Sequence, residues 1–231
     1  MRAALIPMKS LADAKMRLAD VLDRRERSEL ALAMLVDVIT ACVESECFDR
    51  IGVVSSDSDV FWQVRELGAM PIPEPATLSG LNDGLTFGVR YLARRIGAEE
   101  VVILPADVPL VRAVDVCTVV NALAGDERRV VMVRAYDNGT NALALRPPEI
   151  IPMRFGVDSA DAHRHEAERA GVECVELALE RLTFDVDAAG DVESLAARAV
   201  GAATRGWIDA RASYGPAKSR AIPRAGDAGG G

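Results

Sequence analysis

The sequence is poor in the residues and spacings that mark the commonest catalytic machinery. Only 4% of its 231 residues are aromatic, and it has two histidines, His163 and His165. It contains no HExxH, no Walker A pattern and no recognisable Ser-His-Asp set, and no GxGxxG follows its first strand pattern. Zinc-protease, P-loop and dinucleotide-binding chemistry are therefore disfavoured. The two histidines stand two residues apart on a helical pattern, so they point to different sides and are expected at the surface. Cys42, Cys47, Cys117 and Cys174 show no CxxC spacing. They read as small buried thiols in a reducing compartment, neither a disulfide frame nor a zinc site. No apolar run reaches membrane-spanning length, and the N-terminus enters a short strand without a leader-like apolar region, so a soluble cytoplasmic protein is expected. A basic excess is missing as well. The net charge of −8 argues against a general nucleic-acid binder. It still permits anionic substrates wherever lysine and arginine cluster locally.

What is present is enough apolar residue, 50% of the chain, to bury a full core. The organising stretch is Val101-Val102-Ile103-Leu104 followed by Pro105-Ala106-Asp107. Unbroken apolar residues bounded by charge predict a strand buried on both faces, as in a parallel sheet. Pro105 cannot donate to a ladder, which places Asp107 just past the carboxyl end of that strand. In open α/β sheets ligands bind at that edge. Up to residue 125, strand and helix patterns alternate: strands at 2–8, 50–56 and 69–77, helices at 26–46, 57–68, 79–97 and 113–124. This predicts a mixed, mainly parallel, doubly wound α/β sheet. Asn138-Gly139 between two β runs predicts an antiparallel hairpin with a type I′ turn. Residues 172–177 and 182–187 read as the last strands, and 191–203 as the closing helix.

Two groups of residues carry chemistry. Asp185 and Asp187 flank Val186, so on a strand their carboxylates share one face. With Asp107 they make three hard oxygen donors, suited to Mg²⁺ or Mn²⁺ rather than zinc. An N-cap role for Asp187 is compatible with the same reading. Lys9, Lys15 and Arg17 lie in the loop after the first strand, at the same sheet edge, as a phosphate clamp or as a solvated charge run.

With those residues placed, the chain resembles the guanylyltransferases of deazaflavin coenzyme (F420) biosynthesis, which join GMP to 2-phospho-L-lactate, phosphoenolpyruvate or 3-phosphoglycerate. The matching stretches are Pro7-Met8-Lys9, Ala14-Lys15-Met16-Arg17-Leu18, Gly80-Leu81-Asn82 and residues 104–110. Further on come residues 139–143, Phe155-Gly156 with Ser159 and His163, and Phe184-Asp185-Val186-Asp187. The resemblance implies a nucleotide-diphospho-sugar-transferase-like fold over residues 1–204. It also implies metal at Asp107, Asp185 and Asp187, nucleotide contacts from Gly80 and Asn82, and GTP phosphates against Lys9, Lys15 and Arg17. The phospho-acid, with phosphoenolpyruvate preferred, would meet Thr140, Gly156 and Ser159, and the product would pass to a downstream deazaflavin transferase. Ser159 reads equally as a plain N-cap. Asp83 departs from the small uncharged residue expected after Asn82. A cytidylyl- or uridylyltransferase acting on a sugar phosphate, or a non-catalytic nucleotide-binding regulator, are the competing readings. From Arg205 the composition turns to Gly, Ala, Pro and Arg, which predicts a flexible tail over 205–231, although Trp207, Ile208 and Tyr214 allow its first part to dock.

Overall fold

The computed structural model describes residues 1–125 and 127–214. Its centre is a seven-stranded sheet in the order β3-β2-β1-β4-β6-β5-β7. The strands are β1 (Arg2–Pro7), β2 (Arg50–Ser55), β3 (Met70–Pro73), β4 (Glu100–Ile103), β5 (Arg129–Arg134), β6 (Thr140–Arg146) and β7 (Cys174–Glu176). β6 alone runs against its neighbours, pairing antiparallel with both β4 and β5, while β1–β2, β1–β4, β2–β3 and β5–β7 are parallel. The mixed, mainly parallel expectation holds. The order reverses between β1 and β4, so their carboxyl ends diverge and leave a crevice, the place where such sheets take ligands.

The apolar run in β4 works as its composition implies. Val102 and Leu104 pack into one layer with α1 (Arg24–Glu44), α2 (Phe61–Glu66) and α4 (Ala113–Asn121). Val101 and Ile103 pack into the opposite layer with α3 (Leu81–Tyr91) and α5 (Ser159–Arg169). All four side chains are fully buried. Each such burial is worth roughly 1.5–3 kcal/mol, which fixes the strand from both faces and with it the position of the loop that follows.

Three local expectations differ from the structure. The β5–β6 turn is not type I′: Asn138 has φ 70°, but Gly139 does not have a positive φ. Asn138 N–H bonds to Ala135 O and Ala135 N–H to Gly139 O, a three-residue hairpin loop with its bulge residue in the left-handed region. Residues 182–187 belong to no ladder. A short turn at Glu180–Leu182 is followed by an extended segment attached by the bonds Tyr136 N–H to Thr183 O and Val186 N–H to Asp107 O. The closing helix of 191–203 is two helices, α6 (Ala189–Leu195) and α7 (Ala202–Tyr214).

α7 crosses the composition change at Arg205, so the first ten residues of the expected tail are helical, and residues 215–231 lie outside the described residues. Trp207 and Ile208 pack beside Leu30 and Met34 of α1. The start of α7 is capped from a distance by the buried Asp37 of α1, whose two oxygens accept from Ala203 N–H and Thr204 N–H, each at 2.9 Å. The approach is so close that a Cβ on Gly201 would lie 2.1 Å from the Asp37 carboxyl carbon. Asp37→Ala would leave two helix-start donors without an acceptor, at about 1–3 kcal/mol. For a chain of this size that is a fall of several degrees in melting temperature. Thermal unfolding should show it for Asp37→Ala and not for the exposed Asp209→Ala, and an unchanged midpoint would mean α7 docks by apolar contact alone.

Candidate active site

The loop after β1 is built so that one lysine turns inward. The Asp57 carboxylate accepts from Leu11 N–H at 2.8 Å and from the Ser10 hydroxyl, while Ser10 Oγ accepts from Ala12 N–H. These bonds hold a short turn at Leu11–Asp13 against the end of β2. Lys15 then adopts a left-handed backbone, φ 51°, an uncommon state for a side chain of this size. Its ammonium lies 2.5 Å from Asp107 Oδ2 and 3.1 Å from Asp187 Oδ1. Arg17 reaches Asp187 Oδ2 at 2.9 Å with its side chain 75% exposed. Lys9 is exposed on the wall of the same cleft.

The second acid segment presents its carboxylates by alternation without a ladder. Leu182, Phe184 and Val186 are buried, and Asp185 and Asp187 project to the other side. Val186 N–H bonds to Asp107 O at 3.2 Å, bringing the two acidic stretches side by side. One oxygen from each of Asp107, Asp185 and Asp187 falls within 4.8 Å of the others. All the donors are carboxylate oxygens, the set that suits a hard divalent cation such as Mg²⁺ or Mn²⁺. Burial, then repulsion from Asp107 and Asp187, pushes the Asp185 carboxyl up to about 6, against a bond from Asn141 Nδ2 at 3.3 Å. Burial alone would lower the Lys15 ammonium, but Asp107 and Asp187 outweigh it and raise it. Lys15 is therefore a permanent cation. Asp187 does not cap α6: Asp191 does, accepting from Asp187 N–H and Ala188 N–H.

Lys9, Lys15, Arg17, Asp107 and Asp187 form one end of a cleft of about 850 Å³, whose other end is walled by residues after β3 and by the first turn of α3, including Gly80. Asn82 is near but occupied. Its amide donates to Phe155 O and accepts from Phe155 N–H, a brace between α3 and the 154–158 loop. Asp83 stands exposed in the first turn of α3, where the helix dipole favours an acid.

Thr140 and Ser159 do meet, though at the base of the loop rather than on the cleft wall. Both are buried, and the Ser159 hydroxyl donates to Thr140 Oγ1 at 3.0 Å. Asp158, not Ser159, occupies the N-cap position of α5, with φ 53°. Gly156 is exposed at φ 135°, a conformation that needs glycine, and offers its backbone to the solvent side. His163, expected at the surface, has no exposed area at all. Its Nε2 accepts from Arg154 N–H at 3.0 Å, so the proton sits on Nδ1 and is donated to Thr140 Oγ1 at 3.1 Å. Phe155 packs edge-on against the imidazole. His165 is exposed, as expected. Asn141 and His163 are the site residues that pattern reading gave no role. Thr140 and Asn141 open β6 on alternating faces at the edge where β4 ends.

A crevice at the sheet's switch point, three converging carboxylates and a largely buried lysine between two of them fit a nucleotidyltransferase. Solved structures of the same fold include a nucleotide-diphospho-sugar transferase from Desulfovibrio desulfuricans, with a TM-score of 0.72 at 16% identity, covering 92% of this chain and 95% of that one. A nucleotidyl transferase from Methanothermobacter covers 91% and 99%, with a TM-score of 0.63 at 14% identity. The family model described as "Guanylyl transferase CofC like" matches residues 1–212, and the chain belongs to that family. Among its curated relatives, a phosphoenolpyruvate guanylyltransferase of Sphaerobacter thermophilus is 38% identical over 203 residues, 87% of this chain and 96% of the relative. Another of that name, from Conexibacter woesei, is 36% identical over 213 residues, 89% and 94%. Among the described residues no helix is long and apolar enough to cross a membrane.

Burial, helped by Arg154 and opposed by Glu166, holds His163 down at about 4, against 6.5 for a free imidazole. A histidine depressed in the folded state costs no stability above pH 6.5. Below that the unfolded chain takes up a proton that the folded chain refuses, and the loss grows until the pH passes the folded value near 4. At pH 5 the cost is about 2 kcal/mol. Denaturant unfolding at pH 7 and pH 5 should show wild type losing about that much more than His163→Gln. Equal losses would show that the imidazole is accessible to protons in the folded chain.

Proposed function

We propose that the protein transfers GMP from GTP to phosphoenolpyruvate and releases pyrophosphate, in the making of the deazaflavin coenzyme. The observation that carries this is the meeting of Asp107, Asp185 and Asp187 with Lys15 and Arg17 in the switch-point cleft of a chain from this family. Asp107, Asp185 and Asp187 would hold Mg²⁺ or Mn²⁺, which supplies neutralising charge to the reacting and leaving phosphates. A phosphate oxygen of the acid attacks the α-phosphorus as the bond to the bridging oxygen breaks, and the electron pair leaves with pyrophosphate. The attacking group is already an anion, so the chain need not supply a general base. Its task is to hold two polyanions together.

Each residue serves that task. Lys15 keeps the repelling acids together and faces the α-phosphate. Lys9 and Arg17, both exposed, are free to swing onto the β- and γ-phosphates, since among the described residues Lys9 has no ion pair and that of Arg17 is at the surface. Gly80 opens the nucleotide end, and Asn82 supports it through Phe155. The acid lies toward β6 and α5, against the exposed backbone at Gly156. In this reading the buried hydroxyls of Thr140 and Ser159 fix the loop that presents that backbone. The product is an anhydride suited to a downstream deazaflavin transferase.

Pyrophosphate release from GTP, ATP, CTP and UTP, each with phosphoenolpyruvate, 2-phospho-L-lactate, 3-phosphoglycerate or a sugar 1-phosphate, tests the reading. GTP with phosphoenolpyruvate should be fastest, chelation by EDTA should abolish release, and Mg²⁺ or Mn²⁺ should restore it. Asp107→Asn, Asp185→Asn and Asp187→Asn should each lower kcat on the order of 10²-fold or more with melting temperature held or raised, and Lys15→Met should lower kcat as much with melting temperature lowered. Thr140→Ala should raise KM for the acid far more than for GTP. Faster release with the sugar phosphate, or with CTP or UTP, would overturn the assignment.

A further inference from the structure

The end of the cleft away from the acids carries one carboxylate that the chemistry above does not use. Glu74 follows β3, and its N–H bonds to Ser55 O at 2.9 Å, so the backbone there is still pinned to the sheet. The side chain lines the cleft beside Pro75, Ala76, Leu78, Leu81 and Leu85. Among the described residues its carboxylate has neither a hydrogen bond nor an ion pair. It lies over the first turn of α3, where a Cβ on Gly84 would be 3.0 Å from the Glu74 carboxyl carbon and from both of its oxygens. Gly84 is inside a helix and not at positive φ, so glycine there costs about 1 kcal/mol against alanine with no backbone reason. The seat it clears for the carboxylate is a reason. Burial, and then Asp83, push the Glu74 carboxyl above its usual range, as expected for an acid set into a wall without a cation.

An acid so placed needs N–H donors, and apolar neighbours at the same end suit the faces of a flat ring. A nucleotide whose phosphates lie against Lys9, Lys15 and Arg17 extends its base toward this end. Two oxygens of one carboxylate match two adjacent N–H groups. Guanine offers that pair in N1–H and its 2-amino group. On the corresponding edges adenine and cytosine put an acceptor beside their amino group, and uracil puts acceptors on both sides of its N–H. We propose that Glu74 determines base choice, its two oxygens accepting from N1–H and the 2-amino group of guanine. The inference rests on the GTP reading given above and names the group that enforces it.

The test is the Glu74→Gln variant with GTP, ITP, XTP and ATP, read as kcat/KM for pyrophosphate release. A glutamine can accept from N1–H and donate to an oxygen at position 2, which hypoxanthine lacks and xanthine has. Wild type should prefer GTP to ITP, whose base has no 2-amino group, on the order of tenfold or more. In Glu74→Gln that preference should vanish, GTP use should fall about tenfold or more, and XTP use should rise by a similar factor. KM for phosphoenolpyruvate should stay within about twofold, since the acid binds at the far end of the cleft. Gly84→Ala, which displaces the carboxylate and leaves it charged, should weaken the GTP-over-ITP preference without creating XTP use. A Glu74→Gln protein that keeps the wild-type preference and gains nothing with XTP overturns the proposal and leaves the transferase reading intact. A wild type that takes another nucleoside triphosphate over GTP sinks that reading itself, whatever the variant does.

Discussion

The ammonium of Lys15, held between Asp107 and Asp187, is the contact on which the arrangement of the site depends. Three carboxylates with oxygens within 4.8 Å of one another repel, and half-buried surroundings strengthen that repulsion. Burial raises the Asp185 carboxyl, and what remains uncompensated of that repulsion raises it further. Without an internal cation, the 182–187 segment has few bonds to keep it there, because it belongs to no ladder and is tied to the Asp107 loop by one backbone hydrogen bond. Lys15 joins the β1 loop, the β4 loop and this segment electrostatically, across 92 and 172 residues of sequence. Its left-handed backbone is strain retained where function needs the side chain turned inward.

Topology explains why these segments meet at all. β1 and β4 are neighbours in the sheet though β2 and β3 intervene in sequence, and the strands that follow each are added on opposite flanks, β2 and β3 beyond β1 and β5 and β6 beyond β4. The loops after them must therefore border a gap. β6 runs antiparallel to β4, so its first residues, Thr140 and Asn141, arrive at the edge where β4 ends. An all-parallel strand in that place would have brought its amino end to the opposite edge. The single reversed strand is what lets a hairpin exit deliver the Asn141 amide to Asp185.

Legibility in the sequence followed the range of the signal. The β4 strand and Asp107 were readable because burial on both faces leaves an unbroken apolar run, and Pro105 marks where pairing stops. The alternation of Leu182, Phe184 and Val186 with Asp185 and Asp187 was read correctly for its faces and wrongly as a strand. Alternation reports which side is buried, and an extended segment packed on a core obeys it without a partner. His163 was misplaced because helical spacing says only that it and His165 point apart. That one side would be closed by Phe155 and Arg154 depends on a loop whose course no local pattern gives. α7 was hidden for the same kind of reason. Its anchor is Asp37, far away in sequence, and the Ala- and Arg-rich composition around it resembles that of a tail.

The brace at Asn82 has a consequence for how the two ends of the site act together. One side chain satisfies both the N–H and the C=O of Phe155, and Phe155 in turn packs on His163, whose imidazole fixes Thr140 and through it Ser159. The first turn of α3 is thus linked to the 154–159 loop by a run of saturated contacts. Such a run transmits displacement because its members cannot move singly without leaving buried polar groups unpaired. A shift of the start of α3 would therefore move the Phe155 backbone, and with it the exposed peptide at Gly156.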